Sequence, residues 1–121
     1  LVSQLKLIHR RYKLSSWIYL LLGIVFEVTG TTFMKYSAGF SKFLPSVFIF
    51  VFYILSISSV NIALKKIDVS IAYAIWSGVG TSLIALIGIL CFKETFSISK
   101  FLSIVLIIIG IVTLNLSGTT R

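Results

Sequence analysis

Trp17-Ile-Tyr-Leu-Leu-Leu-Gly23-Ile-Val-Phe-Glu27-Val-Thr-Gly30-Thr-Thr-Phe-Met34 is an apolar run that carries a single charge. About 20 residues at roughly 1.5 Å rise cross a hydrocarbon core roughly 30 Å thick. The run therefore predicts a transmembrane helix with Glu27 near the bilayer midplane. A carboxylate there costs roughly 2.5–3.5 kcal/mol on insertion scales, taking the aspartate value. Acids inside spans are rare, and they face cavities and serve transport. Glu27 is expected to bind something positive, a proton or a cation. Leu20, Gly23, Glu27, Gly30, Thr31 and Met34 recur at helical spacing and share its face. The small ones admit a ligand or another helix to the carboxylate.

Composition points the same way. Of 121 residues, 58% are hydrophobic and 12% charged, with a mean hydropathy of +1.10. A soluble domain shows about 45–50% apolar and about 25% charged residues, so lipid is the expected solvent. The net charge of +8 comes from 11 basic against 3 acidic residues. These cations fall between apolar runs, which reads as loop charge beside phospholipid and not as a nucleic-acid surface. Cys91 is the only cysteine and His9 the only histidine, so no disulfide or metal site is expected. No Ser/His/Asp set or phosphate loop occurs, and neither an enzyme nor a cofactor is expected. The chain opens on Leu1, which suggests a non-standard or trimmed start. The basic stretch before Trp17 resembles a signal n-region. The apolar run after it is longer than an h-region and lacks a small-x-small cleavage site, so it reads as a retained first helix.

Outward from Glu27, residues 1–15 hold Lys6, Arg10, Arg11 and Lys13. They read as a basic tail, or as a surface helix with Leu5, Ile8 and Tyr12 on one side. Four helices are expected at about 16–35, 44–64, 69–92 and 98–116. Residues 16–117 then form one all-α integral membrane domain, with a short tail over 118–121. Pro45 falls in the first turn of helix 2, where its missing N–H costs little. In that helix Ser56, Ser58 and Ser59 can bond back to their own backbone, whereas the midspan phenol of Tyr53 needs a polar partner. Helix 3 places Tyr73, Trp76, Ser77 and Gly80 on one face. Aromatic faces beside a carboxylate suit an organic cation, although rings in spans also serve as packing or interfacial anchors. Gly78 and Gly80 permit a bend. Helix 4 is nearly pure Ile, Leu and Val, with Ser103, Gly110 and Ser117 as a seven-residue stripe suited to helix–helix contact.

Glu27-Val-Thr-Gly-Thr-Thr-Phe-Met-Lys35, Ser37-x-Gly39-Phe40, Pro45-Ser46 and Ile71-Ala-Tyr-Ala-Ile-Trp-Ser-Gly-Val-Gly80 resemble the small multidrug resistance family over about Ser16 to Ser117. The resemblance implies a four-helix inner-membrane protein working as an antiparallel dimer. It would export lipophilic, often quaternary ammonium, cations in exchange for protons. Glu27 matches the family's proton and substrate carboxylate. Tyr53, Tyr73 and Trp76 match its aromatic contact positions, and Trp17 stands where the multidrug members have tyrosine. Gly30, Thr31 and Ser56 match positions lining the same cavity. Gly78 and Gly80 match the bend, and Gly110 the dimer seam, whose upstream glycine is Ser103 here. Ala38 replaces a common loop acid. The guanidinium-exporting branch fits less well at Gly30 and Tyr53. Polyamine-exporting pairs are a nearer rival through Lys66-Ile-Asp68-Val-Ser, although one of their subunits has an acid where Ser77 stands. A non-transporting membrane assembly subunit is the reading from another class.

With four spans, Lys6, Arg10, Arg11, Lys13, Lys65, Lys66 and Arg121 share one side, against Lys35, Lys42, Lys93 and Lys100. Without the N-terminal four, the sides nearly balance, and a balanced chain inserts both ways to build a homodimer. Positive-inside bias from the tail disfavours that and calls for a heterodimer with an oppositely oriented paralogue.

Overall fold

The computed structural model describes residues 1–118 and consists of four helices: α1 Val2–Ser37, α2 Phe43–Ala63, α3 Val69–Cys91 and α4 Ile98–Gly118. All four are long and apolar enough to cross a membrane. The chain folds as an all-α integral membrane protein. The expected C-terminal tail, with Arg121, lies outside the described residues apart from Gly118, which closes α4. The side chain of Tyr12 lies outside them as well.

The basic stretch 1–15 is helical and continuous with the first span, so the helix begins at Val2 and not near Ser16. That stretch has no Gly or Pro to stop it, and its Leu, Lys, Arg and Gln are good helix formers. Once the span is nucleated, each added residue gains a hydrogen bond. At 36 residues, α1 is about 54 Å long, well over the roughly 30 Å hydrocarbon thickness. Leu5, Leu7, Ile8 and Leu14 in its first turns are all exposed.

Short turns join the helices. Buried Ser37 builds the first one: its hydroxyl donates to the Met34 carbonyl at 2.9 Å and accepts from the Phe40 N–H at 3.3 Å. Its carbonyl takes the N–H groups of Ser41 and Lys42 at 3.0 and 3.2 Å. The backbone there is left-handed over Ala38, Gly39 and Phe40 (φ 49, 70 and 67°), a conformation that only glycine adopts without strain. In the last loop the Ser97 hydroxyl accepts the Lys100 N–H at 3.2 Å and starts α4.

α1 packs against α2 and α3, and α4 packs on the far side of α3. The core is Leu20, Ile24 and Val28 of α1 with Ala63, Ile67, Ile71 and Ala72 around the α2–α3 turn. Further along, Phe33 lies 5.1 Å from Phe48 and 5.8 Å from Phe52 (ring centroids), filling the α1–α2 seam. Gly23 lets those helices approach, since a Cβ there would stand 3.2 Å from the Ser56 carbonyl and 2.5 Å from Val60 Cγ2. The Ser56 hydroxyl uses that closeness, donating to the Gly23 carbonyl at 2.7 Å across the seam. Gly78 does the same on the other side of the bundle, where an added Cβ would collide with Ile107 and Ile111 of α4. Leu21, Val25, Phe50, Ile54, Leu90 and Leu106 all point outward. In water so much exposed apolar surface would aggregate, whereas lipid tails accept it.

Gly23→Ala is expected to cost about 1–3 kcal/mol by overpacking the α1–α2 seam. Val60→Ala in the same chain should recover part of that loss. Unfolding by SDS titration in mixed micelles measures both, and an absence of coupling between the two sites would contradict the packing described.

Candidate cation site

Glu27 is half-buried on α1, and its two carboxylate oxygens have different surroundings. One turn on, the Thr31 hydroxyl donates to Oε1 at 2.9 Å. The Tyr53 hydroxyl of α2 lies 2.7 Å from that same Thr31 oxygen. A threonine hydroxyl has one proton, and Thr31 spends it on the carboxylate. Tyr53 must therefore be the donor in its pair with Thr31. The order is Tyr53 to Thr31 to Glu27, a relay running from α2 through α1. Met34 Sδ, 3.6 Å from the phenol oxygen, is a weaker alternative acceptor.

The other oxygen, Oε2, faces α3. It sits where a Cβ on Gly80 would be only 3.1 Å away. Around it lies a cavity of about 290 Å³ lined by Glu27, Thr31, Trp76, Ser77, Gly80, Thr81 and Ile84. The hydroxyls of Ser77 and Thr81 are turned to their own helix, donating to the Tyr73 and Ser77 carbonyls at 2.8 and 2.6 Å. The carboxylate is the charged group of the cavity. Trp76 forms one wall, and its Nε1 is the only buried side-chain polar atom without a hydrogen-bond partner among the described residues. An unmet buried donor of this kind costs about 1–3 kcal/mol. A carboxylate beside an indole face can hold an organic cation by charge and ring quadrupole together.

The expected site residues divide. Glu27, Thr31, Trp76 and Gly80 meet at the cavity, and Tyr53 reaches it through Thr31. Tyr73 is 63% exposed, and its ring meets the site through Trp76, with ring centroids 5.6 Å apart. Gly30 is a clearance position: a Cβ there would lie 3.4 Å from Phe52 Cβ and 3.5 Å from the Tyr53 ring. Ser56 is fully buried in the clasp to Gly23, outside the cavity. Trp17 lines a different cavity, with Lys13, Lys66, Asp68, Ile71 and Asn115, ten residues or roughly 15 Å along α1 from Glu27. α3 runs as unbroken helix through Gly78 and Gly80, which serve as room for α4 and for the carboxylate. Ser103 and Gly110 lie exposed on α4, and nothing stands within 4 Å of a Cβ added at Gly110. Sequence reading passed over Thr81 and Ile84, although each lies one turn beyond a lining residue, Ser77 and Gly80.

A family profile described as Small Multidrug Resistance protein matches residues 15–107. The chain belongs to this family. An uncharacterized membrane protein of Bacillus subtilis, YvaE, is 50% identical over 101 residues, covering 84% of this chain and 85% of that protein. Multidrug resistance protein EbrB of the same organism is 44% identical over 100 residues, covering 83% and 86%. The quaternary ammonium compound-resistance protein QacC of Staphylococcus aureus is 38% identical over 105 residues, covering 87% and 98%. The small multidrug resistance match takes in Glu27, Tyr53 and the whole of α3, and with them the cavity.

Thr31→Val keeps the shape of the relay and removes its middle. The Glu27 carboxylate stretching band, identified by its loss in Glu27→Gln, is expected to shift in Thr31→Val and to move far less in Tyr53→Phe. Equal shifts in the two variants would contradict the proton order given above.

Proposed function

We propose that the chain is a proton-coupled antiporter of the cell's plasma (inner) membrane that exports lipophilic, quaternary-ammonium-like cations. The observation that carries this reading is the Glu27 carboxylate inside a span, opening on a cavity walled by Trp76. Asp68 and Glu94, the other acids, lie in the connecting turns. Relatives named for multidrug and quaternary ammonium resistance support the same substrate class.

The mechanism is competition for one group. A charge held in low dielectric is costly unless neutralised, so Glu27 holds either a proton or a cation. Loading one expels the other. When access alternates between the two faces of the membrane, that exclusion couples inward proton flow to outward cation flow. Thr31 holds the carboxylate in one rotamer, and Gly80 leaves Oε2 open to the ligand. Tyr53 orients Thr31, and Trp76 offers its ring face. No metal or cofactor takes part in this scheme.

The working unit we propose is an antiparallel dimer, either of two copies or of this chain with an oppositely oriented paralogue. Two observations support it. The cavity is walled on one side only by its own protomer, and α4 leaves the stripe of Ser103 and Gly110 uncovered. A second copy would bring its own aromatic residues, Trp17 and Tyr73 among them, towards a cation that α1 and α3 hold from one side. The basic first turns of α1 favour one orientation in the membrane and so favour the paralogue.

Adding tetraphenylphosphonium to the purified protein in weak buffer is expected to release protons. Glu27→Gln should abolish both the release and the binding. If that variant still exchanged cation for proton, the assignment of Glu27 would fall. Spermidine releasing protons where the phosphonium does not would reassign the substrate to polyamines. A C-terminal tag with reporters active on opposite sides of the membrane tests orientation. Signal on both sides in comparable amounts would support a homodimer.

A further inference from the structure

A second cavity, of about 370 Å³, lies between the end of α1 and the end of α3, and Thr31, Met34, Lys35, Gly88, Phe92 and Glu94 form most of its lining. It shares Thr31 and Ile84 with the Glu27 cavity, so the two adjoin at that pair. One helical turn, roughly 6 Å, separates Thr31 from Lys35.

Local backbone chemistry fixes the acid in this space. Lys93 is left-handed, with φ 57°, and it reverses the chain as α3 ends. The N–H groups of Phe92 and Glu94 then both donate to the Gly88 carbonyl, at 3.1 and 3.0 Å. The Glu94 side chain folds back over Gly88. A Cβ at 88 would stand 2.8 Å from Glu94 Cδ and 3.1 Å from Oε2, so the absence of a side chain there lets the carboxylate lie against the helix. The negative end of α3 points at the same spot, and its last turn holds no basic residue. Glu94 makes no ion pair among the described residues. Two negative sources therefore converge in a space where Lys35 is the lining cation. Around them stand the Phe92 ring, packed 5.3 Å from the Tyr36 ring, and the half-exposed thioether of Met34.

We infer that this space is an outer cation site, in which Glu94 anchors a monovalent lipophilic organic cation against Phe92 on its way to Glu27. The inference rests on the antiporter reading above and adds a capture step to it. An acid with aromatic and thioether neighbours suits a greasy ammonium or phosphonium. A divalent metal would need several oxygen ligands, and the lining offers the Glu94 carboxylate and the Thr31 hydroxyl. Lys35 lines the same cavity, and its ammonium limits how tightly a second cation is held. Capture at the mouth raises the local cation concentration beside Glu27. It should therefore act on the association rate and leave the dissociation from Glu27 nearly unchanged.

Stopped-flow quenching of tryptophan fluorescence by tetraphenylphosphonium, with the full chain in zwitterionic nanodiscs, tests this. Glu94→Gln is expected to slow association about fivefold at low ionic strength, with the difference collapsing in high salt. Gly88→Ala keeps the charge and displaces it, and should slow association in the same way. Lys35→Gln should speed association. Wild-type association rates in both Glu94→Gln and Gly88→Ala would overturn the outer site. The antiporter reading would survive that result provided Glu27→Gln abolished binding in the same assay. Binding that persists in Glu27→Gln would instead sink the antiporter reading, and the capture step with it.

Discussion

A single carboxylate held among apolar helices sets the terms for everything around it. In lipid, an unpaired charge is far costlier than a missed hydrophobic contact, so the neighbours of Glu27 must supply polarity without filling the space a ligand needs. Thr31 does this from the same helix, one turn away, at 2.9 Å. The Tyr53 phenol anchors Thr31 from α2. Gly80 contributes by having no side chain. One oxygen is thus fixed by the protein, and the other is left facing the cavity.

The fold that holds this arrangement relies on close backbone approach. Lipid removes most of the hydrophobic drive between helices, and van der Waals contact with interhelical hydrogen bonds takes its place. Gly23 and Ser56 supply both at the α1–α2 seam, and Gly78 supplies contact between α3 and α4. These positions lie away from the cavity, yet they set the spacing of the helices that form it. A shift of α3 by a fraction of an ångström at Gly78 would be felt at Gly80, two residues on, where Oε2 has little room.

The number of helices, and a carboxylate inside the first of them, were legible because lipid imposes length and hydropathy rules on each span separately. The relay was half legible. Thr31 at i+4 from Glu27 follows from helix geometry, and Tyr53 was singled out for needing a polar partner. Which atom that partner is depends on how α2 docks, and no local pattern encodes docking. The same gap applies to Gly30 and Ser56, which the family resemblance places at the cavity: in this protomer a Cβ at 30 would meet Phe52 and Tyr53, and Ser56 clasps Gly23. Trp17, placed with the site by the family resemblance alone, stands ten residues along α1 from Glu27 and lines a different cavity of this protomer. The early start of α1 was missed because basic composition reads as a tail. Charge places a segment outside the hydrocarbon without making it unfold, and a stretch without Gly or Pro continues the helix already begun.

One polar group of the site stays unmatched. The Trp76 N–H is buried with no hydrogen-bond partner among the described residues, in a wall of the cavity that holds the Glu27 carboxylate. A soluble protein would let water satisfy both groups. A protein in lipid has fewer ways to do so, and the outer face of α4 offers mostly aliphatic surface. The bare stripe at Ser103 and Gly110 is a separate surface, on α4 and away from the cavity lining. In the dimer proposed above, a subunit seated on α4 would cover that stripe, whereas the cavity, lined by α1 and α3, would have to be closed from its own open side. Under the competition proposed for Glu27, closing that side would strengthen the hold on a bound cation, since the attraction between opposite charges grows as water is excluded.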